Sequence, residues 1–432
     1  MDMYIGRLSA LIPLIACAVS AYGQDCRIIQ NLEIDGKDYS TANLISADGK
    51  YVIGEKHIGL GKYGARWSQE RGLELVTPLY DDFTEIHAIS DDGMVLVGSS
   101  EFPGGSRAIR WTAEGGTENL GLLEGATYSR GIHASSDGSV IIGRCNFAGT
   151  ADVAYRWTRE DGMQPLPDLG GSRMYATRIT PDGRVITGYG RNASNAYRAF
   201  IWTEEDGLQD LGALDATPPT PTAISDDGST IIGTWGSSGT KGFRWTVQHG
   251  MQDLAQVVGA QNIAVGYALS ADGSVIVGRH HAGVTWRAFR WSLADGLQAL
   301  HTQDSYAFDV SANGSVVVGM TSGTGFRWSA NRGYEELPRT WPGFMHQSVA
   351  TTITPDGKTI AGRMVNPAKT YTMCVWHDTT ADFDGSGFVD TDDFTAYVQA
   401  FEAGADNADF DRSGFVDTDD FSAFVTAFEA GC

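Results

Sequence analysis

Cysteine is scarce in this chain. There are five among 432 residues: Cys17 lies in the first apolar stretch, and Cys26, Cys145, Cys374 and Cys432 lie beyond it. Four in so long a chain cannot form a disulfide scaffold. Positive charge is thin as well. Lys and Arg total 31 against 53 Asp and Glu, a net charge of −22. That balance excludes the basic surface a nucleic-acid partner needs to neutralise phosphates. No apolar run after Ala21 is long enough for a membrane-spanning helix. Motifs of catalysis are missing too: there is no HExxH and no GxSxG, and the nine histidines are scattered, with His280-His281 the only adjacent pair.

What is present begins with an export signal. Arg7 precedes an apolar stretch from Leu8 to Ala21, and Ala21-Tyr22-Gly23 offers a small-residue cleavage site, so residues 1–23 read as a signal peptide. Leu14-Ile15-Ala16-Cys17 also resembles a bacterial lipoprotein box, in which Cys17 would carry the lipid. Either route puts the mature chain outside the cytoplasm, secreted or at the cell surface, where disulfides are allowed.

The dominant feature is a repeat. Trp67, Trp111, Trp157, Trp202, Trp245, Trp291, Trp328 and Trp376 each follow a Ser-x-Asp-Gly turn or a close variant, then a β-branched run ending in Gly. The turn glycines run from Gly49 to Gly357 at steps of 41–45 residues. In the third copy, Gly131–Ser135, Val140–Gly143, Ala154–Trp157 and Met163–Leu169 read as four short strands. Four strands per repeat of this length is the pattern of a propeller blade. The expected fold is an all-β propeller of eight four-stranded blades over residues 24–378. Asp137-Gly138 reads as a two-residue hairpin, a type favoured where both central residues take positive φ. The acid is dispensable, because Asn313-Gly314 stands in the seventh copy.

Alternation places each Trp on the face of the residue two before it, which is Tyr155, Phe200, Phe243, Phe289 or Phe326 in five copies. The opposite face often carries Arg, as at Arg66, Arg110, Arg244 and Arg290. A Trp ladder with the period of the repeat is expected to pack blade on blade rather than to bind sugar. The last copy ends at Cys374-Val375-Trp376 without a fourth strand. Ile28–Leu32 resembles Gly207–Leu211, so the N-terminal strand is expected to complete blade 8 and close the ring. On that alignment Cys26 falls beside Cys374, and a Cys26–Cys374 disulfide is expected, with two unrelated buried cysteines as the alternative.

The copies resemble the bacterial extracellular HAF-type repeat. Arg198-Ala199-Phe200-Ile201-Trp202 followed by Asp210-Leu211-Gly212-Ala213-Leu214 is the nearest match, and the resemblance spans about residues 27–376. It implies a secreted or surface protein and no particular activity.

A second repeat occupies residues 381–432, which hold 13 Asp and Glu against one Arg. Asp382–Asp393 recurs 27 residues later as Asp409–Asp420. Hard oxygen donors alternate and a glycine sits at position six, which is the spacing of a calcium loop. The first loop offers Asp382, Asp384, Ser386, the Phe388 carbonyl, Asp390 and Asp393. The second offers Asp409, Asp411, Ser413, the Phe415 carbonyl, Asp417 and Asp420, so two Ca2+ ions are expected. A helix with one apolar face follows each loop. No comparable helix precedes either loop, and position twelve is Asp. In both respects the tail resembles a type I dockerin, and Ala430-Gly431-Cys432 resembles the ending of GC-type dockerins. The resemblance implies that Thr391-Asp392 and Thr418-Asp419 contact a cohesin-like or cell-envelope partner. The alternative is that calcium only folds the tail.

Two functions remain open. One is a non-catalytic propeller, expected as a monomer, that binds a glycan or a protein and is attached through its tail. The other is a polysaccharide-degrading propeller carried by the same tail. Either needs departures from the repeat, and Trp235, His280, His281 and Trp286 are the candidates, with a solvated loop as the plain reading of the two histidines.

Overall fold

The computed structural model of the chain describes residues 26–28, 40–80, 83–148, 151–330, 332–337, 347–365, 371–377, 391–405, 408 and 416–431. Two compact units emerge: residues 28–337 with 341–375, and residues 1–27, 338–340 and 376–432. The expected signal peptide and most of both expected calcium loops lie outside the described residues.

The larger unit is built from four-stranded sheets in chain order. Blade 1 holds Ser40–Ile45, Val52–Ile58, Gly61–Ser68 and Gly72–Leu75. Blades 2 to 7 repeat this meander, and one parallel bridge, Asp152 to Arg173, joins the sheets of blades 3 and 4. The last sheet runs in the order Cys26–Ile28, Tyr371–His377, Thr359–Val365, Ser348–Ile353. A strand from the N-terminus thus fills the fourth place of blade 8, as the missing strand requires. Its described part is Cys26–Ile28, which meets the expected Ile28–Leu32 at Ile28; residues 29–39 lie outside the described set.

Each first strand touches the first strands of the blades before and after it, and that of blade 8 touches that of blade 1. Eight blades therefore close into a ring. Thr351 Oγ1 donates to the Ala42 carbonyl across the closure at 2.9 Å. Ala42 and Val52 of blade 1 share a core with Ala361, Met373 and Val375 of blade 8.

The tryptophans lie between blades. Trp111 packs with Tyr51 and Ile53 of the preceding blade, and Trp157 with Val95 and Val97 of its own predecessor. The arginine of the preceding third strand covers the ring. Arg66 lies 4.8 Å from Trp111, Arg244 5.7 Å from Trp291 and Arg290 6.0 Å from Trp328. Arg66 is fully buried. Its guanidinium is held by two bonds to Glu74, at 2.7 and 3.0 Å, and by one to the Gly93 carbonyl of the next blade. Ring, cation and carboxylate form one desolvated unit, which accounts for the Arg opposite the aromatic face.

The turns differ from the expected two-residue hairpin. Only the glycine takes positive φ (64° at Gly138); Asp137 does not. Asp137 Oδ1 accepts from Ser135 Oγ at 2.7 Å and from Ser139 N at 2.9 Å, and Ser135 Oγ accepts from Val140 N. Those bonds, the Ser135 hydroxyl foremost, hold the Asp137 carboxyl below the usual carboxylate range. Asn313 Oδ1 accepts the same two bonds in blade 7, so an amide serves as well as an acid. The residue before each turn acid links blade to blade. Ala47 N donates to Asp91 O, Asp91 N to Ser136 O and Ser136 N to Pro181 O; Asp226, Ala271 and Ala312 continue likewise to Pro355 O. Pro181 and Pro355 have no N–H to pass on.

The glycine that ends the β-branched run inside each second strand has a steric cause. Every first strand shifts register opposite it, as between Ala176 and Arg178 in blade 4. The shift drives a carbonyl toward that glycine. A Cβ on Gly188 would sit 1.9 Å from the Tyr175 carbonyl and 2.8 Å from the Phe200 ring. Gly188→Ala should cost about 3 kcal/mol, at the upper end of overpacking penalties. Gly162→Ala, at a turn with open space, should cost about 1–2 kcal/mol. Urea melts in which Gly188→Ala unfolds no earlier than Gly162→Ala would refute the bulge argument.

His133 of blade 3 lies beside Arg178 of blade 4. Desolvation first, then the arginine charge, lower its pKa from 6.5 to about 4. The folded state therefore favours neutral His133. Its contribution to stability is complete above pH 6.5 and is lost as pH falls toward 4. His133→Gln should flatten the stability profile across that window; an unchanged slope in pH-dependent melts would exclude His133 as a source.

Candidate functional site

In the smaller unit, two helices carry the described structure: Thr391–Glu402 and Thr418–Gly431. Their apolar faces meet as equivalents under the 27-residue repeat. Tyr397 stacks on Phe424, its own counterpart, with centroids 3.8 Å apart and planes at 7°. Phe394 meets Phe428 at 5.5 Å, and the reciprocal pair Phe401 and Phe421 meets at 5.6 Å. Tyr397, Phe424 and Phe428 are buried. Such reciprocity is the mark of an internal twofold.

The position-twelve acids Asp393 and Asp420 are fully buried. Asp420 Oδ2 accepts from Asp417 N at 2.8 Å, and Asp417 Oδ1 from Asp419 N at 2.9 Å, which caps the second helix. Thr418 and Asp419 are exposed. Asp382, Asp384, Ser386, Phe388, Asp390, Asp409, Asp411, Ser413 and Phe415 lie outside the described residues, as do the side chains of Thr391 and Asp392. No group of three or more metal-ligating side chains converges among the described residues.

On the propeller the four candidate departures do not form one site. Trp235, buried on blade 5, donates from Nε1 to the Gly242 carbonyl at 3.0 Å, with the Lys241 ammonium 4.5 Å from its ring. It lines a groove of ≈ 430 Å³ together with Leu214, Met251, Gln252, Gln256 and Val257. A short helix, Leu254–Val258, forms part of that wall, and Asp253 caps it through the Ala255 N–H. Asp253 lines the groove too, so its wall carries a carboxylate and two amides beside the apolar side chains. None of the other three candidates lines this groove.

His281 and Trp286 face each other across the second hairpin of blade 6, ring centroids 5.2 Å apart. His280 is buried and meets Phe289 edge-on. Sequence reasoning missed the arginine between these rings and those of blade 7. The Arg279 guanidinium lies 4.2 Å from the Trp286 ring, 4.8 Å from Tyr306 and 5.9 Å from Tyr267. A signal was present: Gly278-Arg279 is in register with Gly143-Arg144 and Gly362-Arg363. A second aromatic group, also missed, spans blades 3 and 4. Tyr175 stacks on Tyr189 at 4.8 Å and donates to Asp152 Oδ2 at 2.7 Å. Burial first, then that carboxylate, push the Tyr175 phenol well above its ordinary pKa.

No protein-family model matches the chain, and no curated protein matches it. Among solved structures it is similar to an oligogalacturonate lyase in complex with manganese, with a TM-score of 0.47 and 12% identity, over 83% of this chain and 94% of that one. It is similar to TolB from Acinetobacter baumannii, TM-score 0.36 and 12% identity, over 81% and 66%. It is also similar to the Cps50 (Swd1) β-propeller domain of Myceliophteria thermophila, TM-score 0.41 and 11% identity, over 82% and 99%. Likeness at this level carries no argument about activity. The blade count and the closed ring rest on the strand pairing of this chain.

Proposed function

We propose that this is an extracellular binding protein: a closed propeller that holds a glycan, joined to a calcium-dependent dockerin-like tail that attaches it to a cohesin-like or cell-envelope partner. The observation that carries the reading is the reciprocal packing of Tyr397 on Phe424 and of Phe394 and Phe401 on Phe428 and Phe421. It pairs the two helices that follow the two loops. The buried Asp393 and Asp420 fit the same reading, since a buried carboxylate needs a compensating charge and calcium supplies one. One ion would be held by Asp382, Asp384, Ser386, the Phe388 carbonyl, Asp390 and Asp393, and the other by Asp409, Asp411, Ser413, the Phe415 carbonyl, Asp417 and Asp420. Thr391-Asp392 and Thr418-Asp419 would then present two like surfaces to the partner. On the propeller, the Trp235 groove and the rings around Arg279 are the places for a sugar.

Calorimetry should register two calcium sites. Chelation should abolish the helical signal of the tail and leave the propeller melt unchanged. No calcium heat together with unchanged circular dichroism would remove the site. Release of shortened sugars by the full chain would instead favour the degrading alternative.

The Cys26–Cys374 bond belongs to the same extracellular reading. Cys374 is fully buried on Tyr371–His377, the strand next to Cys26–Ile28; no disulfide joins the described cysteines, and the side chain of Cys26 lies outside the described residues. Non-reducing peptide mapping should recover the two cysteines in one linked peptide; recovery of both as thiols would refute the bond.

A further inference from the structure

The hairpin formed by Val275–Ala282 and Thr285–Ser292 gathers five basic side chains. It carries Arg279, Arg287, His280, His281 and Arg290 and not one Asp or Glu. Arg290 finds its carboxylate at Asp295, 2.9 Å away on the following turn. Other arginines do likewise: Arg66 with Glu74, Arg130 with Glu85 and Arg327 with Glu335. Arg279 and Arg287, like Arg144, Arg156 and Arg244, take part in no ion pair among the described residues, and each of the five has a buried Nε without an acceptor. The Asp304 carboxylate, from the loop entering blade 7, is turned to the backbone N–H of Trp286.

Of the hairpin's two, Arg279 is the better placed. Three rings from two blades stand within 6 Å of its guanidinium. Phe308 extends the wall, 5.9 Å from both Tyr267 and Tyr306. Arg279, Trp286 and Tyr306 are each partly exposed, so solvent reaches them. Rings against a guanidinium leave its N–H edge for a planar, bidentate anion. A carboxylate fits that edge, and the adjoining indole and phenol faces fit the C–H face of a sugar.

We infer that this seam between blades 6 and 7 is a subsite for a carboxylate-bearing saccharide, a hexuronate unit whose carboxylate takes the edge of Arg279 while its ring lies on Trp286 or Tyr306. The inference rests on the reading that the propeller binds a glycan, and it names the class of sugar.

The test is calorimetry on the calcium-loaded full chain with three probes: a hexuronate tetramer, its methyl ester, and a neutral hexose tetramer of the same linkage. The acid should bind with an affinity that falls as salt rises. The ester should bind about tenfold more weakly or worse, as for a lost charge-assisted hydrogen bond. Arg279→Gln should weaken the acid to the level of the ester, Trp286→Leu should weaken both, and Arg159→Gln, at a solvent-exposed arginine after the third strand of blade 3, should change neither. If Arg279→Gln fails to fold by its melt, Tyr306→Leu and the ester comparison carry the test. Equal binding of acid and ester, or full binding by Arg279→Gln, overturns the inference. So does an acidic peptide that occupies the seam while the hexuronate does not. If only the neutral tetramer binds, and Trp235→Phe weakens it, the inference fails and the glycan reading stands. If no sugar binds, both fail.

Discussion

Everything in the propeller depends on a face that no blade can bury by itself. A four-stranded sheet with a Phe or Tyr two residues before a Trp is apolar on a side that only another sheet can cover. The next blade answers that need on its other side, with the Arg of its neighbour laid over its own Trp. The demand passes from blade to blade and ends only when the last meets the first. Ring closure is therefore a packing requirement before it is a matter of shape, and the loan of an N-terminal strand to blade 8 follows from it. Thr351 reaching the Ala42 carbonyl, more than three hundred residues away in sequence, is the local sign of that closure.

Much of this was legible beforehand. The period of the tryptophans gave the number of blades, and the absent fourth strand after Trp376 pointed back to the N-terminus. The replacement of Asp by Asn313 revealed that the turn acid serves backbone donors. Other features are invisible to pattern. A register shift in a first strand leaves no residue signature of its own; it is written as the glycine opposite, Gly188 in blade 4, on a different strand. The two-residue hairpin was misread because Asp-Gly is compatible with a longer turn in which the glycine alone goes left-handed.

The candidate sites were harder to read for a related reason. Trp235 and Trp286 stand at similar exceptions in adjacent copies, yet one sinks into a groove with Leu214 and Met251 while the other stands over Arg279. Adjacent copies lie side by side, but successive residues of a strand face different seams, so neighbours in a repeat alignment need not share a surface. Arg279 escaped notice because arginine is common in these copies. What sets it apart is that rings of two blades close on it, and that becomes visible only once the strands are paired. In the tail the reverse held: a repeat at a step of 27 residues made the meeting of Tyr397 with Phe424 an arrangement that sequence symmetry already favoured.

The chain of backbone bonds that ties turn to turn has two gaps, after Pro181 in blade 4 and after Pro355 in blade 8. They lie four blades apart. At the level of the turns the eightfold ring is mechanically two quartets, each continuously laced, meeting at two joints without lacing. The chain thus has a built-in diameter: a line along which no turn donates a backbone bond to the next, and along which the two halves are joined by the covalent chain and by packed side chains.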